Sequence, residues 1–119
     1  MIGISDIDLK RSLEQSKKQR SQETEKQLNT KVVKYLNTLP CCYAEKRPAQ
    51  QGRAGRVDVT GCIDGRRIEL EGKLPGNKPT PIQKQWLRRW AEVGAITGVY
   101  RSIADVKRIL TQHGAIRIK

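Results

Sequence analysis

The sequence has no phenylalanine, a single histidine, one methionine and three cysteines, and aromatic residues make up only 4% of it. Each shortage excludes something. With so few aromatics, the core must rest on Val, Ile and Leu, with Trp86 and Trp90 as its large side chains. A chain of 119 residues has room for one such core and not two. With no CxxC and irregular Cys-to-His spacing a structural zinc site is not expected, and with one histidine a nuclease that needs a His base is disfavoured. That residue, His113, stands beside Gly114 outside any cluster and reads as an exposed helix end. Cys41 and Cys42 are adjacent, Cys62 leaves the count odd, and no CxxC occurs, so a disulfide framework is not expected. A reduced, cytoplasmic setting follows. No window approaches eighteen uninterrupted apolar residues, and the first twenty lack the apolar centre of a signal peptide.

Acids are scarce beside bases: twelve Asp and Glu against twenty-four Lys and Arg, a formal charge of +12. Residues 1–30 carry six bases and five acids, so they hold +1 of that excess, and residues 31–119 carry the remaining +11. The charge belongs to the body of the chain and not to a tail. A body this basic calls for a polyanion, usually nucleic acid. Membrane binding would instead want a basic amphipathic helix with a bulky apolar face, which is not evident. Charge alone leaves ribosome binding open.

Periodicity divides what remains. Residues 1–20 are polar, with a weak stripe of Ile4, Ile7, Leu9 and Leu13, and read as an arm or loose helix. Residues 21–119 read as one domain. Glu25, Leu28, Val32 and Leu36 fall on one helix face, with the helix ending near Pro40. Cys41 to Lys46 suits a short strand, and Arg47 to Arg56 a loop. Val57–Ile63 and Arg66–Leu74 alternate around Asp64-Gly65, a preferred pair for a two-residue type I′ turn. A breaker-rich loop follows Leu74. Thr80 and Pro81 then open a helix through Trp86 and Trp90 that stops at Gly94. Ala95–Tyr100 is an apolar strand, Ser102 caps a last helix ending near Gly114, and a short strand could close the chain. The fold expected is α/β, a mixed central sheet flanked by helices in the order α-β-β-β-α-β-α.

The hairpin register carries the chemistry. With a two-residue turn, Ile63 faces Arg66, and counting outward places Asp58 opposite Glu71 as a non-hydrogen-bonded pair, Cα atoms ~4.5 Å apart. Facing carboxylates repel each other. A surface arginine could offset that, and so could a divalent cation with a preference for oxygen ligands. Period 2 puts Lys73 on the same face as Glu71. Two acids and an ammonium in a basic domain could hold a metal, orient a water and neutralise a scissile phosphate. Glu25 could reach them from its helix.

These residues, namely Glu25, Gly55-Arg56-Val57-Asp58, Glu71-Gly72-Lys73, Gln83 within Thr80-Pro81-Ile82-Gln83, and Gly98-Val99-Tyr100-Arg101-Ser102, resemble the virus-type replication-repair nuclease (VRR-NUC) domain of the PD-(D/E)xK superfamily over about residues 22–110. The resemblance implies a restriction-endonuclease-like core and a metal-dependent DNA endonuclease. Asp58, Glu71 and the Gly72 carbonyl would bind Mg²⁺ or Mn²⁺, with Glu25 completing the shell. Lys73 would position and activate the attacking water, and Gln83 would hold the site from its helix. Small stand-alone phage members are similar to Holliday-junction resolvases and act as homodimers, which implies branched DNA as the partner and a bacterial host's cytosol as the setting. Val57 stands where the superfamily has proline, and Gly72 where a β-branched residue is more usual. Glu69 on the same face reads as a supporting acid, or as the ligand should the register slip.

Arg47, Arg53 and Arg56 are placed to clamp phosphates, although a solvated loop would carry the same residues. Lys84, Arg88 and Arg89 line the polar side of the Gln83 helix as further DNA contacts. Arg101 fits either DNA contact or a structural ion pair. Trp86 and Trp90 have the spacing of a stacking pair, yet core packing or a dimer contact fits better in a chain without Phe. The rival enzyme reading is a flap, linear-DNA or restriction-type nuclease with the same site. The rival outside enzymes is a basic nucleic-acid-binding module in which Asp58 and Glu71 merely pair with arginines.

Overall fold

The computed structural model describes residues 23–48 and 56–117; the expected arm at 1–20, Arg53 and Gly55 lie outside them. Helix α1 spans Glu25–Leu36, strand β1 Cys42–Lys46, β2 Val59–Ile63, β3 Arg66–Gly72, helix α2 Pro81–Glu92, β4 Ile96–Tyr100 and helix α3 Ile103–Gln112. The order is α-β-β-β-α-β-α, as the periodicity implies. Each helix begins at the residue that satisfies its first backbone donors. Thr24 and Gln27 form a reciprocal capping box on α1, Thr80 and Gln83 form another on α2, and the Ser102 hydroxyl accepts from Asp105 N–H on α3. Among the described residues no strand follows α3. Ala115 and Ile116 instead pack against the core.

The four strands lie in chain order, β1-β2-β3-β4, antiparallel except for the parallel β3–β4 pair. A parallel neighbour needs a crossover, and α2 supplies it. The turn between β2 and β3 has positive φ at both Asp64 (48°) and Gly65 (81°), as a type I′ turn requires. The register follows from it: Ile63 faces Arg66, Thr60 faces Glu69 and Val59 faces Leu70.

The sheet is covered on both sides. Ile68 and Leu70 of β3 and Ile96 and Tyr100 of β4 meet Leu28, Val32 and Leu36 of α1 and Val106, Ile109 and Leu110 of α3. Helix α2 takes the opposite face, where Trp86 reaches Glu69. Being covered twice, β3 is buried at five successive positions, Ile68 to Gly72, and so departs from simple apolar–polar alternation.

Gly72 is where the first helix and the sheet come closest. A Cβ there would run into Asn29 Oδ1 and the Tyr100 ring, and those two are joined by a hydrogen bond from the Tyr100 hydroxyl to Asn29 Oδ1 at 2.5 Å. Gly72→Ala is therefore expected to cost about 1–3 kcal/mol through overpacking, read as a lower urea midpoint. An unchanged midpoint would show that the Asn29–Tyr100 contact gives way easily.

Candidate active site

Asp58 lies one residue before β2, where the backbone bends out of the ladder. The register still sets it opposite Glu71, and each contributes to holding the other. Asp58 N–H donates to Glu71 Oε1 at 3.2 Å, and Gly72 N–H donates to Asp58 Oδ2 at 3.0 Å. Lys73 follows β3, its backbone N–H bonded to the Tyr100 carbonyl at 3.0 Å. Its ammonium donates to Glu71 Oε2 at 3.1 Å. Three residues named from spacing thus form one connected group. Glu71 is buried, with 1% of its surface exposed. Burial first, and the Asp58 charge second, push its carboxyl up to about 7 against the opposing pull of Lys73.

The other two sequence candidates stand further back. Glu25 is half-buried at the head of α1, and its Oε2 accepts from Asn77 Nδ2 at 3.5 Å, a long contact. Gln83 spends its Oε1 on the Thr80 N–H at 2.9 Å, within the α2 capping box. A Thr-x-x-Gln spacing is the signal for that box, so its capping role was there to be found in the sequence. Among the described residues, no three His, Cys, Asp or Glu side chains converge into a ready metal shell. Two facing carboxylates nevertheless suit Mg²⁺, which usually takes one or two carboxylates and keeps several waters.

Glu69 has a different role from the one its position implies. It is fully buried and receives five hydrogen bonds. Arg47 donates twice, at 3.0 and 3.2 Å, Thr60 Oγ1 at 2.5 Å, Arg67 Nε at 3.0 Å and Trp86 Nε1 at 2.8 Å. Burial alone would raise its carboxyl, but the bonds from Arg47, Thr60 and Trp86 hold it below the usual carboxylate range. With both oxygens occupied it is an internal anchor and not a spare metal ligand. Arg47 must be corrected with it, since a guanidinium locked to Glu69 and bonded to the Val57 carbonyl is unavailable as a phosphate clamp. Arg101 is exposed and donates to the Asn77 carbonyl at 2.7 Å, so it tethers the loop before α2 without forming an ion pair there. Arg56, Lys84 and Arg88 are exposed. The tryptophans are not core fillers either: both are half-buried on α2, with Arg47 and Arg56 over the Trp86 ring and Arg67 over Trp90 at 4.1 Å. Buried Asn29, bonded to Tyr100, went unnoticed in the sequence because an Asn inside a helix gives no local sign of a distant partner.

The structure is an α/β fold, a four-stranded mixed sheet between helices, entered through α1 and crossed by α2. No family model and no curated protein matches the sequence. Among solved structures the chain is similar to one described as a VRR_NUC domain protein, with a TM-score of 0.60 and 22% identity over 76% of this chain and 88% of that one. The chain therefore has the fold of a VRR-NUC-type domain.

Two outcomes test this electrostatic layout. In the folded, metal-free protein Glu71 binds its proton more tightly than in the unfolded chain. Its contribution to stability is thus present below pH ~4.5 and lost as pH rises through about 7. Urea midpoints measured in EDTA at pH 5 and pH 8 should differ less in Glu71→Gln than in the wild type; equal slopes would contradict the assigned proton. Glu69→Gln should cost about 3–5 kcal/mol by leaving Arg47 buried without its counter-charge, and a near-neutral effect would remove Glu69 as an anchor.

Proposed function

We propose that this protein is a divalent-metal-dependent endonuclease that hydrolyses phosphodiester bonds in branched DNA. The observation that carries this reading is the facing of Asp58 and Glu71 with Lys73 bonded to Glu71. The shared fold with a VRR_NUC domain protein supports it. The rival in which the two acids merely pair with arginines is less well supported: among the described residues, the arginines that bind a buried carboxylate go to Glu69. Asp58, Glu71 and the Gly72 carbonyl would hold Mg²⁺ or Mn²⁺, with Glu25 on α1 as the further acid that would complete the shell. Such a cation, when bound, neutralises phosphate charge and acidifies a coordinated water.

The chain's own residues do the rest. Lys73 carries an ammonium at the rim of the pair, able to hold the attacking water and to stabilise charge on the phosphate. Gln83, by capping α2, keeps the helix that covers this face in place. Arg56, Lys84, Arg88 and Arg101 present the positive surface that the DNA backbone would follow. We read the working form as a homodimer, because one short chain offers one site and symmetrical cutting of a four-way junction needs two. Its three free cysteines suit the reducing cytoplasm.

Cleavage of end-labelled four-way junction, flap and linear duplex, with Mg²⁺, Mn²⁺ or EDTA, tests the reading. Asp58→Asn and Lys73→Ala should each lower the rate by at least about 100-fold while circular dichroism stays unchanged. Binding should weaken steeply with salt. Paired symmetrical nicks on the junction would establish the dimer. Metal-independent binding with no product from any substrate would leave only a binding module.

A further inference from the structure

On the face of α2 that packs over the sheet, Trp86 and Trp90 form an open wedge running from the level of Glu69 to that of Arg67, away from the carboxylate pair, their ring centroids 6.4 Å apart and their planes tilted by 57°. It belongs to a cavity of about 470 Å³ lined by Trp86, Arg89, Trp90, Glu92 and Val93. That volume lies within the range of small-molecule sites, ~300–1,000 Å³. Val93 at its edge is 75% exposed. Arg67 stacks on Trp90, and Arg47 and Arg56 on Trp86, yet none of these arginines lines the cavity. The ring surfaces turned toward the cavity are therefore open to a partner.

The chemistry indicates which partner. Aromatic faces interleaved with arginines are how sequence-tolerant sites hold single strands, the rings taking bases and the cations taking the backbone. The chain's +12 charge complements such a strand. Arg89 places a guanidinium in the lining, the group a phosphate would take, and Glu92 is the lining's one acid. Trp86 is also fixed relative to the cutting site: its indole N–H is bonded to Glu69 at 2.8 Å. Glu69 lies two residues from Glu71 on the same strand face and Arg67, under Trp90, lies four, so the wedge extends from about 7 to about 13 Å along the strand from Glu71. We infer that the Trp86–Trp90 cavity binds unpaired nucleotides of single-stranded DNA. The inference deepens the nuclease reading and rests on it for a branched DNA as the substrate: the cavity would hold an unpaired arm of that DNA at a distance from the carboxylate pair, where the cut is made.

The test is made in EDTA, so that binding is read without cleavage. A fluorescein-labelled oligo-dT 12-mer and a duplex of equal length are titrated with the full chain, following anisotropy and intrinsic tryptophan fluorescence. The single strand should quench the tryptophans and the duplex should not. Trp90→Ala should weaken oligo-dT binding by about 5- to 20-fold with duplex affinity within about twofold, and Trp90→Tyr should recover most of the loss. Should Trp90→Ala fail to fold, the wild-type quench and the Arg89→Ala affinity decide alone. No quench, or equal losses on both DNAs, overturns the inference. So does a dimer that dissociates in Trp90→Ala, since a second copy would then occupy the face. Absence of Mg²⁺-dependent cleavage with the quench intact would remove the nuclease reading and leave single-strand binding standing; cleavage without the quench would do the reverse.

Discussion

Two carboxylates buried side by side on the same face of a central strand are costly, and the structure treats them in opposite ways. Glu69 is surrounded by five donors drawn from the segment after β1, from β2, from β3 and from α2. A buried charge is tolerable when its lone pairs are all used, and satisfying this one ties four parts of the chain to one point. Glu71, two residues on, has only a backbone N–H and one ammonium. It is left close to neutrality in pH, where a small change of surroundings alters its charge. The two neighbouring acids are thus driven apart by their environments, one held ionised and the other able to take a proton near neutral pH.

The same division explains the close packing at Gly72. The carbonyl end of β3 must sit next to Asp58, whose carboxylate accepts the Gly72 N–H, while α1 presses on the strand's other face. Only a residue without a side chain lets both happen, because Asn29 and Tyr100 fill the space a Cβ would take. The Tyr100–Asn29 bond then joins the end of β4 to the middle of α1, one turn from Glu25. Any movement of α1 would be felt at Gly72 before it reached solvent. The weak spot in β3 that a glycine creates is thus held in place by its neighbours.

How much of this could be read from the residues varies with the range of the interaction. The hairpin register was legible because a two-residue turn leaves no freedom in the pairing, and Asp58, Glu71 and Lys73 follow from it by counting. Helix starts were legible at Thr80 and Ser102 because capping is local. Glu69 was not: period 2 places it on the same face as Glu71, but nothing in the spacing says that Arg47, twenty-two residues away, Arg67 and Trp86 all converge on it. The place of Arg47 is hidden for the same reason, since a loop arginine looks solvent-facing until its partner is known. Composition leaves the tryptophans between core packing and a dimer contact, and the aliphatic residues of α1, α3 and the sheet fill the core without them.

That last point changes the meaning of the charge. A formal +12 invites the view that every arginine faces a phosphate, but Arg47 is spent inside on Glu69, and Arg67 is divided between Glu69 and the Trp90 ring. Arg56, Lys84, Arg88, Arg89 and Arg101 are exposed on or near α2 and the loops beside it. Each phosphate contact contributes nearly one unit to the salt slope of DNA binding. The slope should therefore follow the basic side chains that line the DNA path and not the net charge. On the proposed reading, a basic domain in which some arginines support aromatic rings, while others remain for the backbone, would grip nucleic acid through stacking as well as charge. Stacking is the part of such a grip which salt does not screen.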